Sequence, residues 1–268
     1  MFGLGTAPAP GVDDELIADL GEQDRIAAWL REIRPTHCVH LAALSHVASD
    51  PIELFRINVL GTDALLEAIV AAGLSPAKIV VASSANIYGN AESSPIGEDA
   101  PIRPANYYGL SKASMELALT KWQGRLPIVV ARPFNYTGPE QSERFVFAKI
   151  VGAFRRKEAK LVLGNTNVSR DLSDVRDICA FYCALLERAE PTTTVNLCSG
   201  TSVSLKEVIE VMVEMVGYRP EIEVDPALVR TNEIITLCGD ARRLESVIGP
   251  VVRTPLRSTL KDMYLHAD

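Results

Sequence analysis

The segment Tyr108-Gly109-Leu110-Ser111-Lys112 sets a phenol and an ammonium four residues apart. On a helix those positions share a face, so the Lys112 cation would lie beside the Tyr108 hydroxyl. A neighbouring positive charge favours phenolate and would draw the Tyr108 pKa down from about 10 toward neutrality. That suits proton transfer to or from a reacting oxygen. The spacing alone is weak, because Tyr and Lys fall four apart often by chance. A second feature agrees with it. The apolar run Ile79-Val80-Val81 reads as a strand and is followed at once by Ala82-Ser83-Ser84-Ala85-Asn86-Ile87-Tyr88-Gly89. Hydroxyls would then stand at the carboxyl end of a strand, where open α/β sheets bind ligands. Ser83 and Ser84 could equally be turn residues, but a Tyr-Lys pair one loop later, in the expected order, favours a site.

Such a site needs strands and helices to hold it. Helical periodicity marks residues 25–34, where Ile26, Trp29, Leu30 and Ile33 precede Pro35, and residues 58–72, stopped by Gly73. It continues at 107–123, 140–160, 175–188 and 205–216, the last closed by Gly217. Short β-branched runs at 37–41, 78–82 and 128–131 lie between the earlier helices. Strands alternating with helices predict an α/β fold, a doubly wound parallel sheet covered on both faces. Beyond Pro133 the alternation loosens, which predicts a smaller α/β lobe. The division expected is 1–135 with 168–190 for a nucleotide-cofactor lobe, and 136–167 with 191–268 for a discontinuous substrate lobe, the two meeting in a cleft.

Composition removes several classes of function. The 268 residues are 47% hydrophobic and 23% charged, enough for a core without disulfides or metal. Lys+Arg 27 against Asp+Glu 34 gives 27 − 34 = −7, which leaves no basic stripe for a nucleic acid. No apolar run approaches the ~20 residues of a membrane helix, and no basic-then-apolar leader opens the chain. Five Cys without a framework spacing point to a reducing compartment, hence the cytoplasm. His37, Cys38, His40 and His46 crowd together but fit no zinc spacing, so no metal is expected. Cys179 and Cys183, four apart on a helix, read as buried small apolar residues. Arg170 and Arg230 stand in polar loops; their planar guanidinium groups suit a diphosphate, or salt bridges with Asp171 and Glu233.

Taken with Ser84, Tyr108 and Lys112, further segments carry a resemblance over nearly the whole chain. They are Asp19-Leu20, His40-Leu41-Ala42-Ala43, Asn58-Val59-Leu60-Gly61-Thr62, Ala131-Arg132-Pro133-Phe134-Asn135, Ser169-Arg170-Asp171 and Asn196-Leu197-Cys198-Ser199-Gly200. Together they resemble the extended short-chain dehydrogenase/reductase (NAD-dependent epimerase/dehydratase) family, which modifies nucleotide sugars with a nicotinamide cofactor. The resemblance implies a Rossmann-like fold and NADP(H) or NAD(H) held by Asp19, Leu20, Leu41, Ala42, Ala43, Asn58, Tyr108, Lys112 and Arg132. It makes Ser84, Tyr108 and Lys112 catalytic. Within the family the likeness is strongest to the branch that reduces GDP-4-keto-6-deoxymannose to GDP-rhamnose. Asn86, Asn135, Arg170, Arg230 and Glu233 are then the residues for a GDP-sugar, with Glu233 on the ribose. Related dehydratases place a Glu where Asn86 stands, and an amide cannot serve as that base. Reduction or epimerisation is therefore expected.

The family's first strand and glycine-rich turn are not recognisable; Gly3, Gly5 and Gly11 are the early glycines, and the chain reads as starting about one strand-turn-helix unit late. The rival readings are accordingly an epimerase or dehydratase of the same family, or a truncated sugar-nucleotide binder without catalysis. Relatives pair through two helices, so the resemblance also implies a homodimer through the helices at 58–72 and 107–123, as a four-helix interface.

Overall fold

The run Lys78–Ala82 is apolar at every position after its lysine, the pattern of a strand covered on both faces rather than one. In a computed structural model, which describes residues 1–45, 47, 49–229 and 233–266, it is buried along its whole length. In chain order the elements are β1 (Phe2–Gly5), β2 (Asp14–Ile17), α1 (Gln23–Ile33), β3 (His37–His40), α2 (Pro51–Phe55), α3 (Thr62–Ala71), β4 (Lys78–Ala82), α4 (Tyr107–Leu119), β5 (Ile128–Pro133), β6 (Asn135–Thr137), α5 (Val146–Arg155), β7 (Lys160–Leu163), β8 (Ser169–Asp174), α6 (Val175–Arg188), β9 (Thr194–Leu197), β10 (Ser202–Ser204), α7 (Leu205–Val216), β11 (Glu221–Val224), β12 (Thr236–Leu237), α8 (Arg242–Ile248) and α9 (Leu256–Leu265).

The main sheet has the order β3-β4-β5-β9, parallel throughout. Side chains alternate across it. Ile79 and Val81 pack with Leu66, Met115 and Trp122 of the layer formed by α1, α3 and α4. Val80 and Ala82 meet Ile178, Phe181 and Leu244 of α6 and α8 on the other face. β1 and β2 form a separate parallel pair. The second lobe centres on β8, which pairs antiparallel with β10 and parallel with β6 and β12. Its core of Phe147, Phe154, Met212 and Leu260 joins α5, α7 and α9.

Several expectations need correction. β9 and α8 belong to the main sheet and its covering layer, although 191–268 was expected in the second lobe, because Val195 and Leu197 are needed to close the edge of β5. β8 sits in the second lobe's sheet, although 168–190 was expected in the first. The helix expected over 140–160 is confined to Val146–Arg155: Phe145 is extended, and Lys160 begins β7. The helix expected from 58 starts at Pro51 and passes through a π-helical turn, Arg56–Gly61, before α3. Cys179 and Cys183 are exposed, since α6 turns Ile178, Phe181, Tyr182 and Leu185 inward instead. All five cysteines are free thiols. His46 and Arg230 lie outside the described residues; among those described, no cluster of His, Cys, Asp and Glu could hold a metal ion. Among the described residues no helix is long and apolar enough to cross a membrane.

A buried polar network ties the sheet to the loops above it. Arg132 donates to both carboxylate oxygens of Glu116 at 3.0 and 2.7 Å, to the Tyr88 hydroxyl at 2.9 Å and to the Glu98 carbonyl at 2.8 Å. Tyr88 in turn donates to Asn196 Oδ1 at 2.7 Å, and Asn196 N donates to Glu98 Oε1 at 2.8 Å. Burial works against the Arg132 charge, and the Glu116 carboxylate outweighs it, holding its pKa above the ordinary value. Breaking one half of such a pair strands the other. Glu116→Ala is therefore expected to lose about 3–5 kcal/mol of stability in urea unfolding, and Arg132→Met combined with Glu116→Leu to lose much less.

Candidate active site

The carboxyl end of β4 collects the chemistry. Ser83 N closes the ladder by donating to the Ala131 carbonyl at 2.7 Å. Ser84 then leaves the sheet and caps the short 3-10 turn Ala85–Tyr88, its Oγ accepting from Asn86 N and from Asn86 Nδ2, both at 3.2 Å. Above it α4 begins at Asn106, whose Oδ1 accepts from Gly109 N at 2.8 Å. Tyr108, in the first turn, is 8% exposed and hydrogen-bonded to Ser84. Lys112, one turn on, is 2% exposed and donates from Nζ to the Ala82 carbonyl at 2.6 Å. The two side chains thus share the buried face that their spacing predicts, and both reach the same strand end.

Their electrostatics differ from the expectation. Burial pushes the Tyr108 phenol up to about 12, with the Ser84 hydrogen bond acting the other way; Lys112 is not among the groups that shift it. The ammonium is turned toward Ala82 instead. Burial lowers the Lys112 pKa to about 8, partly opposed by Glu116. Tyr108 is therefore a firmly protonated hydroxyl, poised to donate rather than to accept. His40, at the end of β3, is neutral: burial and the Lys112 charge push it down to about 3, and its Nε2 lies 2.9 Å from Thr62 Oγ1.

The remaining expected residues fall into separate groups. Asp19, Leu20, Leu41, Ala42 and Ala43 line one cavity of about 940 Å³ beside β1 and β3. Ser84, Tyr108 and Lys112 do not line it. Asn58 joins the two places, accepting from Leu44 N at 2.8 Å and donating to the Leu44 carbonyl and to Ser111 Oγ at 3.0 Å each. Its amide, fully buried in the π-helical turn, thereby fixes the 41–45 loop against α4. Arg132 is engaged in the buried network already described. Asn135 is half-buried on β6, opposite Leu172. Arg170 Nη1 donates to the Ser169 and Ile235 carbonyls at 2.9 and 3.2 Å. Glu233 keeps one carboxylate oxygen, Oε2, buried without a partner.

Asn90 escaped the sequence reading, while Ser83 and Asp171 were read only as a strand-end hydroxyl and as a possible salt-bridge partner of Arg170. Asn90 clamps the 233–235 segment, donating to the Glu233 carbonyl and accepting from Ile235 N, both at 3.2 Å; the signal was its place just after Gly89. Ser83 Oγ is buried with no partner at the strand end. Asp171 accepts from Ser199 N at 2.7 Å, Gly200 N at 2.9 Å and Gly239 N at 3.2 Å, gathering the loops beside the cleft.

The chain as a whole is similar to known proteins. The family model described as GDP-mannose 4,6 dehydratase matches residues 14–263. The chain is 32% identical over 256 residues to GDP-6-deoxy-D-talose 4-dehydrogenase of Aggregatibacter actinomycetemcomitans, covering 95% of this chain and 87% of that protein. It is 34% identical over 261 residues to GDP-6-deoxy-D-mannose reductase of Pseudomonas aeruginosa, covering 91% and 85%. The solved structure of RMD from Pseudomonas aeruginosa complexed with NADPH superposes with a TM-score of 0.88 at 29% identity, covering 99% of this chain and 98% of that one.

Two outcomes follow from the geometry. A Cβ at Gly109 would stand 2.5 Å from the Asn86 carbonyl oxygen. Gly109→Ala should therefore cost about 1–3 kcal/mol in thermal unfolding, by overpacking, although the same change in an open helix stabilises. Lys112 offers a pH signature. Below about pH 8 it is charged in both folded and unfolded chains and the burial penalty is complete. Between there and its ordinary value near 10.4 only the folded chain has released the proton, so the penalty fades as pH rises. Lys112→Met should hold its greatest stability advantage over the wild type near pH 7 and lose it progressively toward pH 10, as read by urea unfolding.

Proposed function

The chain belongs to the GDP-mannose 4,6-dehydratase family, among the extended short-chain dehydrogenase/reductases, and on that premise we propose that it reduces the 4-keto group of a GDP-linked 6-deoxyhexose, converting GDP-4-keto-6-deoxy-D-mannose to GDP-D-rhamnose. The observation that carries this reading is the Ser84–Tyr108 hydroxyl pair at the end of β4, with the Asn86 amide beside it. Ser84 would hold the ketone oxygen. Tyr108, protonated by virtue of its burial, would give its proton to the alkoxide as it forms. An epimerase must first withdraw a proton from a sugar hydroxyl, for which a phenol held near 12 is poorly set. A dehydratase needs a carboxylate where Asn86 has an amide.

A nicotinamide cofactor, NADP(H) or NAD(H), supplies the hydride when bound, and two features of the structure fit it. The Ser83 hydroxyl is orphaned at the strand end, and the Lys112 ammonium has the Ala82 carbonyl as its hydrogen-bond acceptor, leaving donors for a ribose. Asp19, Leu20, Leu41, Ala42 and Ala43 would hold the adenosine half. On the substrate side, the unpartnered Glu233 oxygen suits a ribose hydroxyl, while Asn135, Arg170 and Arg230 would take the diphosphate. The soluble partner is thus a GDP-sugar.

Tyr108→Phe is expected to slow turnover about 10²–10⁴-fold while GDP binding stays unchanged. The measurement is NADPH absorbance on addition of the GDP-keto sugar; product formed with no NADPH consumed rejects reduction. A homodimer belongs to the same proposal. The π-helical turn before α3 leaves Leu60 64% exposed, and α4 leaves Leu117 72% exposed and Leu110 exposed as well. Leu117→Glu should move the sedimentation of the protein toward that of a monomer, and an unchanged profile would count against this interface.

A further inference from the structure

Two further phenols stand beside Tyr108. Tyr136 is carried by β6, opposite Ser173 of β8 in the parallel register. The end of β6 lies so close to the start of α6 that a Cβ at Gly138 would overlap Val175 Cγ1. From α6, Tyr182 packs into the core with Val80 and Ala82 of β4, the strand whose end Lys112 holds through the Ala82 carbonyl. The three oxygens are near enough to act on one another: a charge on Tyr136 is felt at Tyr108, and charges on both are felt at Tyr182. Burial is the main cause holding all three phenols above their ordinary value. Each is therefore a hydroxyl at neutral pH, and a phenolate at one keeps its neighbours protonated.

The three differ in their access to water. Tyr108 and Tyr182 are buried, whereas Tyr136 is 42% exposed. Ser173, its register partner on the same face of the sheet, keeps Oγ buried without a partner, a polar seat for a water beside Tyr136. Proton donation by Tyr108 leaves a phenolate after every turnover, at a position largely closed to solvent. The Lys112 ammonium is not among the groups that act on it. We propose that Tyr136 is the residue through which Tyr108 recovers its proton, a positioning residue that links the buried donor to solvent across one bridging water. In each cycle the Tyr108 O–H bond breaks as the alkoxide takes its proton. The bridging water then gives a proton to the phenolate and takes one from the Tyr136 hydroxyl, and bulk water refills Tyr136, leaving one hydroxide in solution. One solvent proton is thus consumed for each hydride that reaches the ketone carbon. This inference rests on the reading of Tyr108 as the donor in a reduction.

The test follows NADPH absorbance with the GDP-keto sugar and the full 268-residue chain, first with enzyme in excess and then in steady state. Tyr136→Phe keeps the ring and removes only the hydroxyl. It should complete the first turnover at the wild-type rate, because Tyr108 starts protonated, and then cycle about tenfold more slowly or worse. Since the slowed step follows the chemistry, kcat and KM should fall together and kcat/KM should stay unchanged, a pattern that a merely structural role does not produce. A first turnover slowed as much as the steady state, a steady state left unchanged, or equal slowing by Tyr182→Phe would each overturn the proposal. A wild-type chain that consumes no NADPH at all rejects the reduction itself, a result distinct from these three, and the proposal falls with it.

Discussion

The site depends on how closely α4 crosses the end of β4. Lys112 reaches the Ala82 carbonyl at 2.6 Å, and the first turn of the helix rests on the Ser84–Tyr88 turn with room for nothing larger than hydrogen at 109. Ser84 is fixed by the strand beneath it, Tyr108 by the helix above it. Two rigid elements thus set the separation of the two hydroxyls, and a mobile loop has no part in it. The same closeness excludes water, and that exclusion holds Tyr108 in its protonated form.

Polar groups sealed in the interior carry this local precision outward. The guanidinium of Arg132 meets a carboxylate, a phenol and a carbonyl, so its charge is compensated where it would otherwise be prohibitive. Asn196 extends the network to Ile96 and Glu98, in the loop that leads from the 3-10 turn toward α4. Asn58 does comparable work beside the cavity at β1 and β3, where one amide satisfies both backbone groups of Leu44. Each is a small side chain whose hydrogen bonds fix a segment lacking regular structure of its own.

The larger elements of both lobes were legible because they are long and strongly patterned. The strand at 78–82 and the helices at 175–188 and 205–216 were read to their final residues, helped by a Gly217 stop whose left-handed φ of 67° only glycine adopts freely. The short strands of the second lobe were not legible, since β6, β10 and β12 have two or three residues each and exist through pairing with β8. Periodicity could not reveal the π-helical turn that buries Asn58, nor could spacing reveal where a long side chain points. Tyr108 and Lys112 share their face as read, yet the ammonium bonds to Ala82, and the expected acidification of the phenol gives way to burial. Cys179 and Cys183 show the same limit, as four-residue spacing says that two side chains share a face and not which face it is.

Asp171 has a mechanical meaning as well. Its single carboxylate, buried in the second lobe's sheet, grips backbone at 199–200, just past the last strand of the first lobe, and at 239, just before α8. Hinged jaws need a flexible joint between their halves; here the joint is riveted from inside. The two hydrogen bonds of Asn90 add a second clasp, holding the 233–235 segment to the loop after the 3-10 turn, so the lobes are pinned to one another at two separate points.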